Sequence, residues 1–207
     1  MWVDVNQNTD EWDSLRLKRL TSSTWAKIMA NYGKSFGDPA KKEAERIALE
    51  MVTGKKDETE VYKSGYMQMG HDFEDEAWLL YEQEQFKITS KGGFFLNDED
   101  DRIGDSPDRN VGSDGVLEIK SVIPKTQFKR LKKGGFDTAY TWQIHSHIWT
   151  GNKEWCDFAS YCVSMPENKR LYVHRIYRDE EIINKMRIRK EEFFIEVDKN
   201  VEILNRY

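Results

Sequence analysis

The middle of the chain sets the tightest limits on its fold. From Gly92 to Val122 the sequence breaks into short apolar runs bounded by Gly, Asp and Pro: "GGFFLN", "DRIGDSPD" and "GVLEIKSV". Runs of this length and punctuation read as strands. On both sides the pattern turns helical. "PAKKEAERIALEMVTG" carries Pro39 at its start and Gly54 at its end, residues that open and close helices. Thr21 or Ser22 is placed to cap a helix through "STWAKIMA". "GYMQMGHDFEDEAWLLYEQEQ" reads as one long helix with Phe73, Ala77, Leu80 and Tyr81 on one stripe. After the central block come two helices, "KTQFKRLKKG" and "TAYTWQIHSHIWTG", then two strands, "WCDFASYCVS" and "RLYVHRIYR", around a "MPENK" turn. The tail from Asp179 is a long charged helix, and "KSFGDP" and "TGKKDETE" read as loops. Helices before and after a block of strands predict a single mixed α/β domain over residues 1–207, with a central mixed β-sheet flanked by helices.

Composition narrows the function classes. A chain of 207 residues, 38% hydrophobic and 33% charged, can bury one substantial core and keeps a highly charged surface. No apolar run nears the roughly 20 residues of a membrane span. The N-terminus, "MWVDVNQNTDEW", lacks the basic and apolar regions of a signal peptide, so a cytoplasmic protein is expected. Cys156 and Cys162 are too few for a structural zinc or iron–sulfur site, which takes about four ligands; they read as buried free thiols. The net charge of −5 speaks against a protein that coats nucleic acid nonspecifically. It is compatible with an enzyme whose acidic site holds metal ions. The local basic cluster of Lys125, Lys129, Arg130, Lys132 and Lys133 reads as a solvated helix face.

The chemistry candidate is "SDGVLEIKS". On a strand, residues two apart share a face, so Glu118 and Lys120 project together while Leu117 and Ile119 enter the opposite layer. A carboxylate can ligate Mg²⁺, and a neighbouring ammonium can stabilise charge on a phosphoryl oxygen. Alone this is a weak signal: Glu167 and Lys169 repeat the spacing in a turn. Asp108, ten residues upstream in "GDSPDRN", adds a second carboxylate. A hairpin between them brings Asp108 beside Glu118, and two adjacent acids repel unless a cation joins them. Mg²⁺ is such a cation and can activate water for phosphodiester hydrolysis. Read without that context, Asp108 is an ordinary turn aspartate.

"SPD" followed by "LEIK" resembles the PD-(D/E)xK nuclease motif, and the chain as a whole resembles the phage lambda exonuclease family of viral alkaline exonucleases. "EWDSLRLKRLTSS", "MGHDFEDEAWLLYE", "GGFDTAYTWQIHSHIW" and "YVHRIYRDEE" are similar to further blocks of that family, in the family's order, from Trp12 to the C-terminal helix. The resemblance implies a restriction-endonuclease-like core. It implies that Asp108, Glu118, the backbone carbonyl of Ile119 and Glu74 bind metal, expected as two Mg²⁺ ions that Mn²⁺ can replace. Lys120 would orient or activate the attacking water, and Gln143 would sit at the active site. Arg16, Ser23 and Ser106 would form a DNA 5′-phosphate pocket, although Lys18 or Arg19 is an alternative base for it.

The implied activity is degradation of the 5′-ended strand at double-stranded DNA ends, releasing mononucleotides and leaving 3′ single strands. A homotrimeric ring and a single-strand annealing protein are the implied assembly and partner. Another PD-(D/E)xK nuclease, such as a restriction-type endonuclease, is the alternative enzyme; a non-catalytic DNA-end-binding protein is the alternative from another class. His145 and His147, two apart on a helix, face different sides and should not converge on one ion. His71 and His174 belong to no pattern, and Asp98, Glu99, Asp100 and Asp101 read as a solvated hairpin turn.

Overall fold

The computed structural model describes residues 1–56 and 73–206. Its strands are β1 (Trp2–Val3), β2 (Leu20–Thr21), β3 (Thr89–Lys91), β4 (Phe94–Leu96), β5 (Ile103–Asp105), β6 (Arg109–Val111), β7 (Gly115–Ser121), β8 (Trp155–Tyr161) and β9 (Leu171–Tyr177). Its helices are α1 (Asp10–Arg16), α2 (Trp25–Met29), α3 (Asp38–Thr53), α4 (Glu74–Gln85), α5 (Pro124–Lys133), α6 (Thr141–Thr150) and α7 (Glu180–Leu204).

The strands form two mixed sheets where one was expected. Among the described residues, one sheet runs β1-β4-β5-β2 and the other β3-β6-β7-β8-β9. The split follows from the shortness of the early strands: β4 and β5 pair with each other and with the N-terminal residues (Trp2 opposite Phe95, Leu20 opposite Ile103) and do not join β7. In the larger sheet β7 and β8 are parallel over seven residues, from Gly115 opposite Trp155 to Ser121 opposite Tyr161. The crossover between them is α5 and α6, as a parallel pair requires.

Strand alternation divides the core. Val116, Cys156, Phe158 and Ile176 face a large cluster completed by Trp25, Ile47, Ile144, Ile148 and Phe193 from the helices. Leu117, Ile119, Ala159 and Tyr161 face the other layer, covered by Ala77 and Tyr81 of α4. The helix boundaries obey their sequence signals. Pro39 sits in the first turn of α3 and Gly54 ends it in the left-handed conformation at φ 67°. Asp179 caps α7 by accepting from the Glu181 and Ile182 amides. The helix expected from "STWAKIMA" is shorter than anticipated: Thr21 belongs to β2, Ser22–Thr24 is a 3₁₀ turn, and neither end is capped by a side chain. The long helix expected from Gly65 is described only from Glu74; its earlier part, with Gly70 and His71, lies outside the described residues, as does the second half of the "TGKKDETE" loop.

Two expectations about charge need correction. The acidic run after β4 is a turn, but not a freely solvated one. Glu99 receives a fork from Arg187 of α7 (2.6 and 2.8 Å) and the indole N–H of Trp149 (3.0 Å). Asp100 pairs with Lys190 at 3.0 Å and Arg102 at 2.9 Å. The turn is a clasp onto the last helix, because α7 presents basic residues where the β4–β5 hairpin ends. In the basic cluster, Lys125, Lys129, Lys132 and Lys133 are exposed as expected, but Arg130 is buried and donates to Ser160 Oγ at 2.6 Å. Cys156 and Cys162 are buried free thiols.

Candidate active site

The site forms where β6, β7 and α6 meet. The β6–β7 hairpin pairs Arg109 with Leu117, so Asp108, one residue before β6, lies alongside Glu118. Asp108 Oδ2 accepts the Ile119 amide at 2.5 Å. Close backbone passage holds the Asp108 segment in place: a Cβ at Gly92 would collide with the Pro107 carbonyl, so only glycine lets these two stretches approach. Glu118 is 2% exposed and shares its strand face with Lys120, whose ammonium lies 2.5 Å from Glu118 Oε1. From α6, the Gln143 amide donates to the same oxygen at 2.6 Å.

His147 completes the cluster. It lies one helical turn after Gln143, on the same face of α6, and is fully buried. Its Nε2 is 3.0 Å from Glu118 Oε2 and its Nδ1 2.9 Å from Asp105 Oδ1. Neither contact has in-line hydrogen-bond geometry, so both are electrostatic contacts first. His145 points elsewhere, with Nδ1 2.9 Å from the Thr141 carbonyl. The two histidines do not converge, as their spacing requires.

The electrostatics separate the two carboxyls. Burial works against ionisation of Glu118, but Lys120 and His147 outweigh it and hold its pKa at about 2. Asp108 moves well above the usual carboxylate range through burial, then the charges of Glu118 and Glu74. Glu74, the first residue of α4, is therefore near enough to be felt at Asp108. Burial alone lowers the Lys120 pKa, but Glu118 and Asp108 raise it further, so Lys120 is an ammonium in this state. The Tyr140 ring lies 5.2 Å from its nitrogen. His147, despite the cost of burial, is raised to about 10 by Asp105 and Glu118.

A second group lies beyond Asp105. The Trp12 indole N–H donates to Ser106 Oγ at 2.9 Å, and that hydroxyl donates to the Gly93 carbonyl at 2.7 Å. Arg16 stacks over Trp12, its guanidinium carbon 4.3 Å from the ring centre. Burial lowers the Arg16 pKa, and Asp105 and Asp13 oppose that. Arg16 and Ser106 are thus brought together. Arg19, the alternative base, donates to the backbone carbonyls of Asp101 and Leu15. Ser23 is exposed on the 3₁₀ turn, and among the described residues no hydrogen bond ties its side chain to Arg16 or Ser106.

Residues 11–154 match the model of the YqaJ-like viral recombinase domain. The chain belongs to that family. Among solved structures, it is similar to an alkaline exonuclease, LHK-Exo, from Laribacter hongkongensis: 26% identity over 96% of this chain and 97% of that one, with a TM-score of 0.85. The same enzyme in complex with dAMP matches with a TM-score of 0.86. A phage-related exonuclease from Haemophilus somnus 129PT shares the fold at 17% identity and a TM-score of 0.68, over 90% of this chain. No curated protein sequence matches the chain.

Within this family framework the donor set suits a hard cation. Asp108 and Glu118 are oxygen donors held side by side, and burial, then the charges of Glu118 and Glu74, raise the Asp108 pKa. Among the described residues, no three His, Cys, Asp or Glu side chains form a metal-holding group by themselves. Two carboxylates supplemented by backbone oxygen are what the chain offers such an ion. Sequence reasoning missed Asp105, read only as part of a turn-bounded strand, and the role of His147. The spacing Gln143-x-x-x-His147 was the available signal, since it puts both side chains on one helix face.

Proposed function

We propose that this chain is a divalent-metal-dependent exonuclease that degrades the 5′-ended strand of double-stranded DNA to mononucleotides, leaving 3′ single strands. The observation that carries the proposal is the convergence of Asp108, Glu118, Lys120 and Gln143 from the β6–β7 hairpin and α6. In a YqaJ-like domain this arrangement supports a nuclease. The dAMP held by the similar Laribacter enzyme is a mononucleotide, the product class proposed here.

Asp108, Glu118 and the Ile119 carbonyl, with Glu74 nearby, would hold Mg²⁺ or Mn²⁺, in one or two ions. Such an ion, when bound, lowers the pKa of water and polarises the phosphodiester. The residues of the chain do the rest. Lys120 would orient or activate the attacking water and stabilise charge on a phosphoryl oxygen. Gln143 fixes Glu118 Oε1. Arg16 and Ser106 would receive the 5′-phosphate, Arg16 by paired N–H donors. Ser23 is a further candidate by family resemblance alone. A homotrimeric ring around DNA and a single-strand annealing partner are further proposals from the same resemblance.

End-labelled duplex incubated with Mg²⁺ tests the reading. Mononucleotides should appear, closed circular duplex should survive, and Glu118→Ala should stop the reaction. Nicked circles would instead mark an endonuclease, and tight binding of ends without turnover a non-catalytic end-binding protein. Duplex with 5′-phosphates should be degraded faster than duplex with 5′-hydroxyls, and Arg16→Ala should erase that preference. Equal wild-type rates on both ends would remove the phosphate pocket.

A further inference from the structure

We propose that Asp105 and His147 are positioning residues that hold the Glu118 carboxylate in its metal-binding orientation. The proposal rests on the metal-dependent reading above and goes beyond it, since neither residue touches the reacting groups.

The argument begins with the two oxygens of Glu118. Oε1 is fixed by Lys120 and Gln143, while Oε2 faces His147. Lys120 is on the same strand and is partly exposed, with a long flexible stem. It cannot by itself set the rotation of the carboxylate about its last bond. His147 is a rigid ring on a different element, and its side chain and that of Asp105 are both fully buried. A ring between two carboxylates has one orientation in which both nitrogens face oxygen, so Asp105 fixes His147 and His147 fixes Glu118.

Asp105 is anchored in turn. Its Oδ1 accepts the Ser106 amide at 2.7 Å as well as facing His147. Its Oδ2 is buried without a hydrogen-bond partner. A buried carboxylate with an unsatisfied oxygen is expensive to keep. A histidine filling space in the core would not need one, and an isosteric apolar pair would pack there at lower cost. The carboxylate–imidazole–carboxylate order matches the way outer groups orient metal-binding ligands, where loss of the outer partner costs about 10–100-fold in metal affinity or activity.

The test is Mn²⁺ binding to the full chain without DNA, by calorimetric titration, for wild type, Glu118→Gln, His147→Gln, Asp105→Asn and the Asp105→Asn/His147→Gln pair. Wild type should bind and Glu118→Gln should bind far more weakly. His147→Gln and Asp105→Asn should each weaken Mn²⁺ binding about 10–100-fold, with the pair no worse than the poorer single variant. With DNA, both should lower kcat and leave KM nearly unchanged. Circular dichroism and melting curves identify any variant that fails to fold; Asp105→Asn, which preserves shape, then decides. Wild-type Mn²⁺ affinity in folded Asp105→Asn and His147→Gln overturns the proposal, and so does a pair whose losses simply add. Absence of Mn²⁺ binding by wild type overturns the metal site itself. Those results are distinct, because Glu118→Gln reports on the site and the other variants on its support.

Discussion

Two buried carboxylates sit on opposite faces of the same pair of parallel strands, and their surroundings differ in kind. Asp157 of β8, opposite Leu117 in the register, is closed by a matched set. Arg175 reaches it with two N–H donors at 2.7 and 2.8 Å, and the Tyr81 hydroxyl donates at 2.6 Å. One anion meets one cation, and Tyr81, its pKa raised by burial and Asp157, stays a neutral donor. Around Glu118 the carboxyls share their partners. Asp105 and Glu118 meet His147 between them, Glu118 also meets Lys120, and Asp108 lies alongside, where burial, then the charges of Glu118 and Glu74, raise its pKa. A structural carboxylate is satisfied by its protein partners. The Glu118 cluster sets two carboxyl groups, Asp108 and Glu118, side by side, the arrangement that a divalent cation relieves.

Glu118→Gln should produce the largest effect that separates the two. Turnover should fall by at least about 10²–10³-fold, the scale set by losing one preorganised electrostatic group. The melting temperature should fall as well, because Lys120 and His147 lose the anion they hold ionised, but the folded variant should still be inactive. Loss of stability without loss of turnover would put Glu118 in the same class as Asp157.

Arg175→Ala supplies the converse. It leaves Asp157, which is 1% exposed, charged and without its cation, a change that costs about 3–5 kcal/mol when a buried pair is broken. Arg175 also stacks over Trp155 at 3.6 Å, and that contact is lost with it. Urea unfolding measures the cost, and the folded fraction should degrade DNA at the wild-type rate. A turnover defect in folded Arg175→Ala would show that the two faces of the sheet are coupled.

The strand face of Glu118 and Lys120 was legible because a period of two leaves no choice once the strand is recognised. Asp108 followed from the short hairpin, and the helix ends from Pro39, Gly54 and Asp179. The two-sheet division was not legible, since β2 and β5 are 83 residues apart in their pairing of Leu20 with Ile103, a contact no local pattern encodes. Asp105 was opaque for the same reason, and His147 showed only through its spacing from Gln143. Each is unremarkable among its sequence neighbours and acquires meaning only where α6 crosses the end of β5. Family resemblance selected Gln143 but gave no hint of the histidine one turn later, and it selected Ser23, which the fold leaves exposed and away from hydrogen bonds to Arg16 or Ser106.

Glu99 gives a third, smaller case that sharpens the rule. It is paired like Asp157, by a forked arginine and an indole N–H, but it lies at the surface, with 43% of its side chain exposed. Hydrogen bonds from Arg187, opposed by partial burial and aided by Trp149, hold its pKa at about 2 against an ordinary glutamate value of 4.5. A depressed carboxylate stabilises the fold above its unfolded pKa and loses that contribution as pH falls through the folded one. Glu99→Gln should therefore be less stable than wild type at pH 7. Water and salt screen an exposed pair, so the difference should be at most about 1 kcal/mol. It should hold steady down to the ordinary glutamate range, then shrink as pH approaches about 2. Asp100 and its partners are unchanged in the variant, so subtracting the two pH–stability curves isolates Glu99. A difference that persists undiminished at pH 2 would mean that packing of the Arg187 and Trp149 side chains, and not the charge on Glu99, closes the clasp on α7.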